Sequence, residues 1–369
     1  MALTAPETIG EILGNYLRIK TDDPSYDDVL DICRSLAEHV KPNEINREYR
    51  AAHDHTHVDC DLSLLHMALE HEKGCRLALE LVRRGADPNA RGRNGERPLQ
   101  IASHRGDVRL VGELIEKGAE VNGRDKDGYT ALHHARSHNV VVLLLKKGAS
   151  VNARSHTRTL PIHMAAKTLE PRTILLLLKK GASADYQDND GETPLFNAAR
   201  FSPGASVARV LVEEGAGVNV QDQYKNTPLE LAAAAGNLQL VEFLLGQGAE
   251  SKNALHAAAG SKNPDTVEVL LEHDRSTINT RDSYGMTPLC YAAANPNPEA
   301  TRILLAAGAN IDRRSSRCHR TPLHIAAKGG NHYTVEALME KQPKLDIRDK
   351  EDKTPLDIAA DIRIEVLLR

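Results

Sequence analysis

The sequence contains very few aromatic residues. Only 3% of its residues are aromatic, with no Trp and three Phe. Large rings dominate the cores of most globular proteins, so their scarcity in a chain of 369 residues argues against one large core. Stacked helices that pack through Ala, Leu, Val and Gly do not need large rings, because small residues let helices approach closely.

Other features are also missing, and each excludes a class of protein. No apolar run approaches the roughly 20 residues that span a bilayer, so we expect no membrane insertion. Residues 1–10 lack a basic stretch followed by an apolar core, which argues against a secretory signal. The five cysteines are odd in number and scattered, which fits free thiols in a reducing, cytoplasmic compartment. The net charge of -4 gives no sign of the excess of basic residues that is typical of nucleic-acid-binding proteins.

A short block close to Thr-Pro-Leu-His recurs ten times along the chain. Successive blocks begin 34, 33, 30, 33, 34, 26, 34, 34 and 33 residues apart. A period in the low thirties indicates a stacked array of repeats, each in contact with its neighbours. The clearest copies begin at Thr193, Thr227, Thr287, Thr321 and Thr354, and the weaker ones at Ser63, Arg97, Thr130, Leu160 and Asn253.

Residues 187–216 illustrate what one repeat encodes. Residues 188–191 carry a turn signal that ends in Gly191. Thr193 suits a helix N-cap, and Pro194 suits the first helical position, where its missing N–H has no cost. Two stretches with helical apolar spacing follow, and Gly215 suits the left-handed end of the second. The sequence therefore predicts a hairpin loop, a short helix, a turn and a longer helix.

Similar endings recur along the chain. Gly-Ala pairs end most predicted second helices, and Val or Ile with a polar residue often follows, as in Val121-Asn122. With these features in register, the chain from about Leu62 to its C-terminus resembles the ankyrin repeat family. The resemblance implies an all-α ankyrin-repeat solenoid of helix-turn-helix units with β-hairpin loops. It also implies structural hydrogen bonds between neighbouring loops for the block histidines, such as His66, His133, His163, His256 and His324.

Three departures from the repeat are visible. The 26-residue interval before Asn253 lacks the hairpin near residues 250–253, which we expect to leave a gap and a weak joint. The 30-residue interval after Thr130 shortens the link between helices near residues 137–140. The repeat that begins at Thr354 is clipped, and its ending suggests either a minimal cap or a longer context.

Residues 1–61 do not fit the repeat. Apolar spacing predicts two helices and a third, weaker helix from Asn43 to Ala52, and these form either a helical N-terminal cap or an adaptor segment with its own partner. The cluster from His53 to Cys60 contains zinc-ligand residue types, but no second pair at finger-like spacing. A solvated linker remains the alternative to a metal site. We expect no metal and no cofactor.

The resemblance implies that the hairpin tips and the exposed face of each first helix line a groove. Aromatic and Arg residues are favoured anchors of interfaces, although a finger tyrosine also has the option of packing on a neighbouring finger. Register with the family's variable positions gives the candidate partner-binding residues Lys126, Asp127, Tyr129, His138, Asn189, Asp190, Glu192, Arg200, Phe201, Gln223, Tyr224, Asn226, Tyr284 and Met286. A basic cluster suits an anionic partner segment or is a solvated hairpin; it comprises Arg313, Arg314, Arg317, Arg320 and Lys328.

These observations favour a non-catalytic scaffold or adaptor that binds a segment of a partner protein, with a monomer as the expected state. A bacterial effector or a substrate-recruiting subunit with the same groove would have the same sequence features. An enzyme or metal-binding protein with its site in residues 1–61 is an alternative, and a structural spacer is another. Fold alone does not choose among partners.

Overall fold

The computed structural model describes residue 46 and residues 48–50, 61–70, 74–168, 170–201 and 205–369. The chain divides into two compact units, residues 1–183 and 184–369, which are described separately below. The two helices predicted within residues 9–37 and the cluster from His53 to Cys60 lie outside the described residues.

The first unit contains two short paired strands, followed by a series of short helices in which the first and second helices of each repeat alternate. The strands are β1 (Glu48–Arg50) and β2 (Asp61–Ser63), which pair antiparallel with Glu48 opposite Ser63. The helices are α1 (Leu64–Glu70), α2 (Cys75–Arg83), α3 (Pro98–Arg105), α4 (Val108–Glu116), α5 (Ala131–His134), α6 (His138–Lys146), α7 (Pro161–Thr168) and α8 (Pro171–Lys179).

The second unit continues the alternation. Two 3-10 turns accompany its helices, at Arg275–Asn279 and Leu356–Ile358. The helices are α9 (Pro194–Phe201), α10 (Ser206–Glu213), α11 (Pro228–Ala234), α12 (Leu238–Gly246), α13 (Ala254–Ala259), α14 (Asp265–His273), α15 (Pro288–Ala293), α16 (Glu299–Ala306), α17 (Pro322–Lys328), α18 (His332–Met339) and α19 (Ile362–Leu368). The predicted all-α repeat fold is confirmed.

The helix predicted over residues 43–52 is wrong, because residues 48–50 form strand β1. The apolar spacing that suggested a helix there is short, and pairing with β2 across an intervening segment is a non-local interaction that spacing cannot reveal.

The recurring block fixes the start of each first helix. Thr227 and Thr321 have extended backbones, and their hydroxyls accept the N–H of the third helical residue, while a proline follows at the first helical position. Most second helices end where a glycine adopts a left-handed conformation. At Gly148, φ is 85°, and the N–H of Ala149 returns to the carbonyl of Leu144 at 2.9 Å.

Alanine dominates the contacts between first helices. In the second unit, α11, α13 and α15 pack side by side through fully buried alanines, namely Ala232, Ala233, Ala258, Ala259, Ala292 and Ala293. Because these side chains are small, the core needs few aromatic rings, and Phe196 is a fully buried exception. The low aromatic content thus follows from close helix stacking.

The two irregular intervals have distinct structural results. In the 30-residue interval, the shortening falls on the first helix itself, since α5 has 4 residues and ends before the extended Ala135. In the 26-residue interval, residues 247–253 connect α12 to α13, and the N–H of Ala254 bonds the carbonyl of Ser251. No hairpin precedes α13.

Candidate functional site

A short reverse turn, here called a finger, precedes most of the first helices. Each finger closes when the N–H of its first residue donates to the carbonyl of its last, as from Asp125 to Tyr129 at 3.1 Å and from Asp222 to Asn226 at 3.1 Å. The fingers cover residues 92–96, 125–129, 155–159, 188–192, 222–226, 282–286, 315–320 and 349–353.

An aspartate at the first position stabilises many of the fingers. Oδ1 of Asp222 accepts the N–H groups of Tyr224 and Asn226, both at 2.8 Å. Asp282 accepts those of Tyr284 and Met286 in the same way. A carboxylate with two backbone donors holds the turn rigid, so the side chains at the finger tip are presented in a fixed direction.

The block histidines link one repeat to the next finger. Nδ1 of His133 accepts the N–H of Thr130 at 3.0 Å, and its Nε2 donates to the carbonyl of Thr159 at 3.0 Å. The first bond requires an unprotonated Nδ1 and the second a protonated Nε2, so the ring is the neutral Nε2–H tautomer. Burial lowers the pKa of His133 to about 4. His324 has the same two contacts, with Thr321 and Lys353.

These contacts agree with the structural role that the resemblance to ankyrin repeats implies for the histidines. Gln100 occupies the same register as His133 and reproduces both bonds without a titratable ring. Its Oε1 accepts the N–H of Arg97 at 2.6 Å, and its Nε2 donates to the carbonyl of Tyr129 at 2.7 Å.

Four of the predicted partner-binding residues lie in the first unit. Lys126 and Asp127 are exposed at the tip of finger 125–129. The ring of Tyr129 is half-buried, with its centroid 5.2 Å from that of His133 in an edge-on arrangement. His138 begins α6, at the end of α5 away from the finger, and its Nδ1 lies 2.9 Å from the Thr173 hydroxyl. The structure therefore separates His138 from the finger tip.

The other predicted residues lie in the second unit and form connected groups. Gln223 joins two fingers, because its N–H donates to the carbonyl of Asp190 and its side chain donates to the Asp190 carboxylate at 3.0 Å. Arg200 contacts both carboxylate oxygens of Glu192, and its guanidinium lies 5.8 Å from the centroid of the Phe201 ring.

Exposure distinguishes the aromatic residues of this unit. Tyr224 is 73% exposed, Tyr284 is 59% exposed and Phe201 is 50% exposed. Asn189 is exposed, whereas Asn226 and Met286 are partly buried beside their own fingers. Asn226 donates to Asp222 at 2.9 Å, so this residue shapes the finger rather than its tip.

The residues of the predicted basic cluster do not share one surface in the structure. Arg313, Arg314 and Arg317 are exposed. Nε of Arg320 instead bonds the buried carboxylate of Asp349 at 2.9 Å and links two fingers. Lys328 ends α17, at the opposite end of that helix from the finger. Arg314 also lines a polar hollow of about 410 Å³, together with Asp312, Lys344, Asp346, Ile347 and Arg348.

Sequence reasoning missed the residue that follows the fourth block position. The Tyr291 hydroxyl donates to Oδ2 of Asp282 at 2.5 Å, and His134 contacts Asp125 in the equivalent way at 3.1 Å. Burial and the Asp282 contact raise the pKa of Tyr291. Register alone could have identified these positions, because they lie one residue after the block and face the finger.

The comparisons with known proteins agree with this geometry. A family model of ankyrin repeats matches residues 65–155, 162–253, 247–315 and 313–367. The chain belongs to the ankyrin repeat family. Ankyrin repeats are generally protein–protein interaction domains.

Several known proteins are similar in sequence to part of this chain. A Caenorhabditis elegans homolog of transient receptor potential cation channel subfamily A member 1 is 29% identical over 46% of this chain and 14% of its own length. Dog inversin is 31% identical over 41% of this chain and 15% of its own. The Drosophila yakuba NF-kappa-B inhibitor cactus is 31% identical over 38% of this chain and 29% of its own. The aligned part is thus less than a third of each of these relatives.

Within the part of the chain that the structure describes, no helix is long and apolar enough to cross a membrane. The same residues contain no group of three or more His, Cys, Asp or Glu side chains placed to hold a metal ion. The described cysteines, Cys75, Cys290 and Cys318, are free thiols.

Proposed function

We propose that this ankyrin repeat protein is a non-catalytic scaffold or adaptor, and that it binds a segment of a partner protein through the fingers and first helices of residues 184–369. The observation that carries this proposal is the exposure of Phe201, Tyr224 and Tyr284 on finger tips and at the end of a first helix. Aromatic side chains on rigid supports supply large contact area at little entropic cost.

Polar groups beside these rings support the same surface. Asn189 and Asp190 are exposed on one finger, and Gln223 ties that finger to the next. The Glu192–Arg200 pair is already formed, so its charges need no rearrangement when a partner arrives. A preformed surface reduces the ordering cost of binding.

One aligned relative is named an inhibitor of NF-kappa-B, which is in keeping with a binding role. The cytoplasm is the proposed location. An effector or substrate-recruiting subunit would use the same surface, and the identity of the captured partner distinguishes these roles from a scaffold.

The test uses affinity capture followed by mass spectrometry and a measured Kd. The double variant Phe201→Ala/Tyr224→Ala should weaken the captured partner by about 1 kcal/mol or more for each side chain. Tyr333→Ala is the matched control, because Tyr333 is also exposed, at 64%, but lies on second helix α18. Equal binding by the intact chain and the folded double variant would reject this surface.

A further inference from the structure

The same main-chain hydrogen bond joins four pairs of neighbouring fingers. The N–H of the second residue of a finger donates to the carbonyl at the tip of the preceding finger. This bond joins Lys126 to Asn94 (3.0 Å), His156 to Asp127 (2.8 Å), Gln223 to Asp190 (2.9 Å) and Lys350 to Cys318 (3.0 Å). Each finger with neighbours on both sides is thus able to use one N–H and one carbonyl to hold them.

The row of fingers is interrupted before α13. Helix α13 packs between α11 and α15, but residues 247–253 connect α12 to α13 directly, without a finger. Packed helices lie about 8–10 Å apart, so we expect the separation between fingers 222–226 and 282–286 to be roughly twice that between adjacent fingers. The space between these two fingers is here called the notch.

Two main-chain groups at the edges of the notch have no partner. By position, the carbonyl of Tyr224 and the N–H of Ser283 are the groups that a finger between them would bond. Among the described residues, neither group makes a hydrogen bond, and both residues are exposed. At the next joint, where finger 315–320 is one residue longer, the Arg281 side chain bonds the Arg314 carbonyl instead.

The side chains around the notch are compatible with an occupant. Tyr224 and Tyr284 project from the two flanking fingers and are the exposed rings described above. Glu230 takes the block position that is histidine in other repeats, and it contacts the Asn253 side chain instead of a finger carbonyl. The helices are therefore packed and capped around the notch, while the two main-chain groups remain available.

We propose that a loop of a partner protein docks in the notch in place of the missing finger. One N–H of this loop donates to the Tyr224 carbonyl, one carbonyl accepts the Ser283 N–H, and the two tyrosine rings contact its sides. This assignment rests on the proposed protein-binding function and names the shape and chemistry of the partner. Fingers of a second copy are a poorer fit, because most are flanked closely by their own neighbours.

The test exploits the geometry of finger 282–286. The N–H of Gly285 bonds the carbonyl of Asp282 at 3.0 Å, so Ser283 is the second residue of a β-turn, a position that proline favours. Ser283→Pro removes the free N–H without breaking a bond of the finger. Ser283→Ala keeps the N–H and is the matched control. A third variant fills the notch with a copy of residues 222–226, inserted between Ser251 and Lys252.

The probe is a displayed library of short disulfide-closed peptide loops, selected on the full chain. We expect a class of loops that binds the chain and Ser283→Ala equally, binds Ser283→Pro about tenfold more weakly, and does not bind the filled variant. If the filled variant does not fold, the Pro and Ala variants still decide the question.

Other outcomes overturn the assignment. Loops that bind the chain, Ser283→Pro and the filled variant alike would show that the notch is not the site. If such loops lose affinity for Phe201→Ala, the proposed function stands and only the notch fails. A failure to select any loop counts against the notch. Self-association of the chain that the filled variant abolishes, measured by sedimentation, would identify a second copy as the occupant.

Discussion

The joint between fingers 92–96 and 125–129 has a finger on each side, whereas the joint at residues 250–253 lacks one. Both have packed first helices, with Leu99 and Leu255 almost fully buried. Only the former has a finger-to-finger hydrogen bond, from Lys126 to Asn94. The difference shows that helix stacking and finger pairing are separable, and that the stack forms where a finger is missing.

The loss of a finger is not without local cost. Asn253 precedes α13 with φ −113° and ψ −1°, whereas Thr130 and Thr321 are extended. In the described residues around it, Nδ1 of His256 is buried and has no hydrogen-bond partner. The Nδ1 bond that caps the helix is thus lost together with the finger, whereas Nε2 of His256 still lies 3.1 Å from the carbonyl of Thr280.

The largest expected change in stability comes from core substitutions that compare how tightly the helices pack at the two joints. Leu99→Ala and Leu255→Ala should each destabilise their region by about 2–5 kcal/mol, because both remove a buried side chain. Chemical denaturation with a probe near each site measures this. A much smaller loss for Leu255→Ala would mean that the joint without a finger is loosely packed.

The next effect concerns pH. Since the pKa of His133 falls to about 4 in the folded chain, protonation favours the unfolded chain. Neutral His133 contributes up to about 3 kcal/mol to the free energy of unfolding. This contribution is complete above about pH 6.5 and is lost as the pH falls towards 4. His133→Gln should keep both bonds, as Gln100 does, and make unfolding less sensitive to acid. An unchanged acid transition would show that His133 does not contribute to it.

A smaller change in stability is expected from removing a main-chain N–H that is bonded to a neighbouring finger than from the core and pH changes above. The comparison is with an N–H that has no such bond. Lys126 and Ser283 occupy the same turn position, and only the Lys126 N–H is bonded to a neighbouring finger. Lys126→Pro should cost about 1 kcal/mol, whereas Ser283→Pro should cost almost nothing. Thermal unfolding of the two variants gives the difference. Equal costs would contradict the inference that the Ser283 N–H is free.

The smallest effect is local opening. Because repeats contact only their neighbours, the joint without a finger should exchange its amide hydrogens earlier than joints within the same unit that have fingers. Hydrogen exchange over residues 245–260 measures this, with residues 218–235 as the internal reference. Uniform protection across both segments would show that the finger adds little to the joint.

Much of the fold could be predicted from local chemistry. Thr227 and Pro228 mark the start of α11, and Gly148 marks the end of a second helix, because capping and left-handed geometry depend on the residues themselves. The strand at residues 48–50 was missed because its partner is distant in the sequence. The shortening of α5 was placed in the link, since spacing does not show which element loses residues.

The candidate site was less predictable, because exposure depends on neighbours. Tyr129 ends one finger and Tyr284 lies at the tip of another, yet Tyr129 packs against His133 and His134 while Tyr284 is exposed. The sequence indicated that Arg320 binds an anionic partner, but its guanidinium instead bonds the carboxylate of Asp349 in the next finger. Register locates such residues, and only the packing of adjacent repeats decides which remain available.

The alanines that line the first helices of the second unit also affect the response to temperature. Alanine has no side-chain rotamers to lose, so the stacking of these helices removes little side-chain entropy. It also buries less apolar surface per residue than a core of large rings, and the heat capacity change of unfolding scales with that surface. The stability of this chain should therefore vary less steeply with temperature than that of a globular protein of equal length.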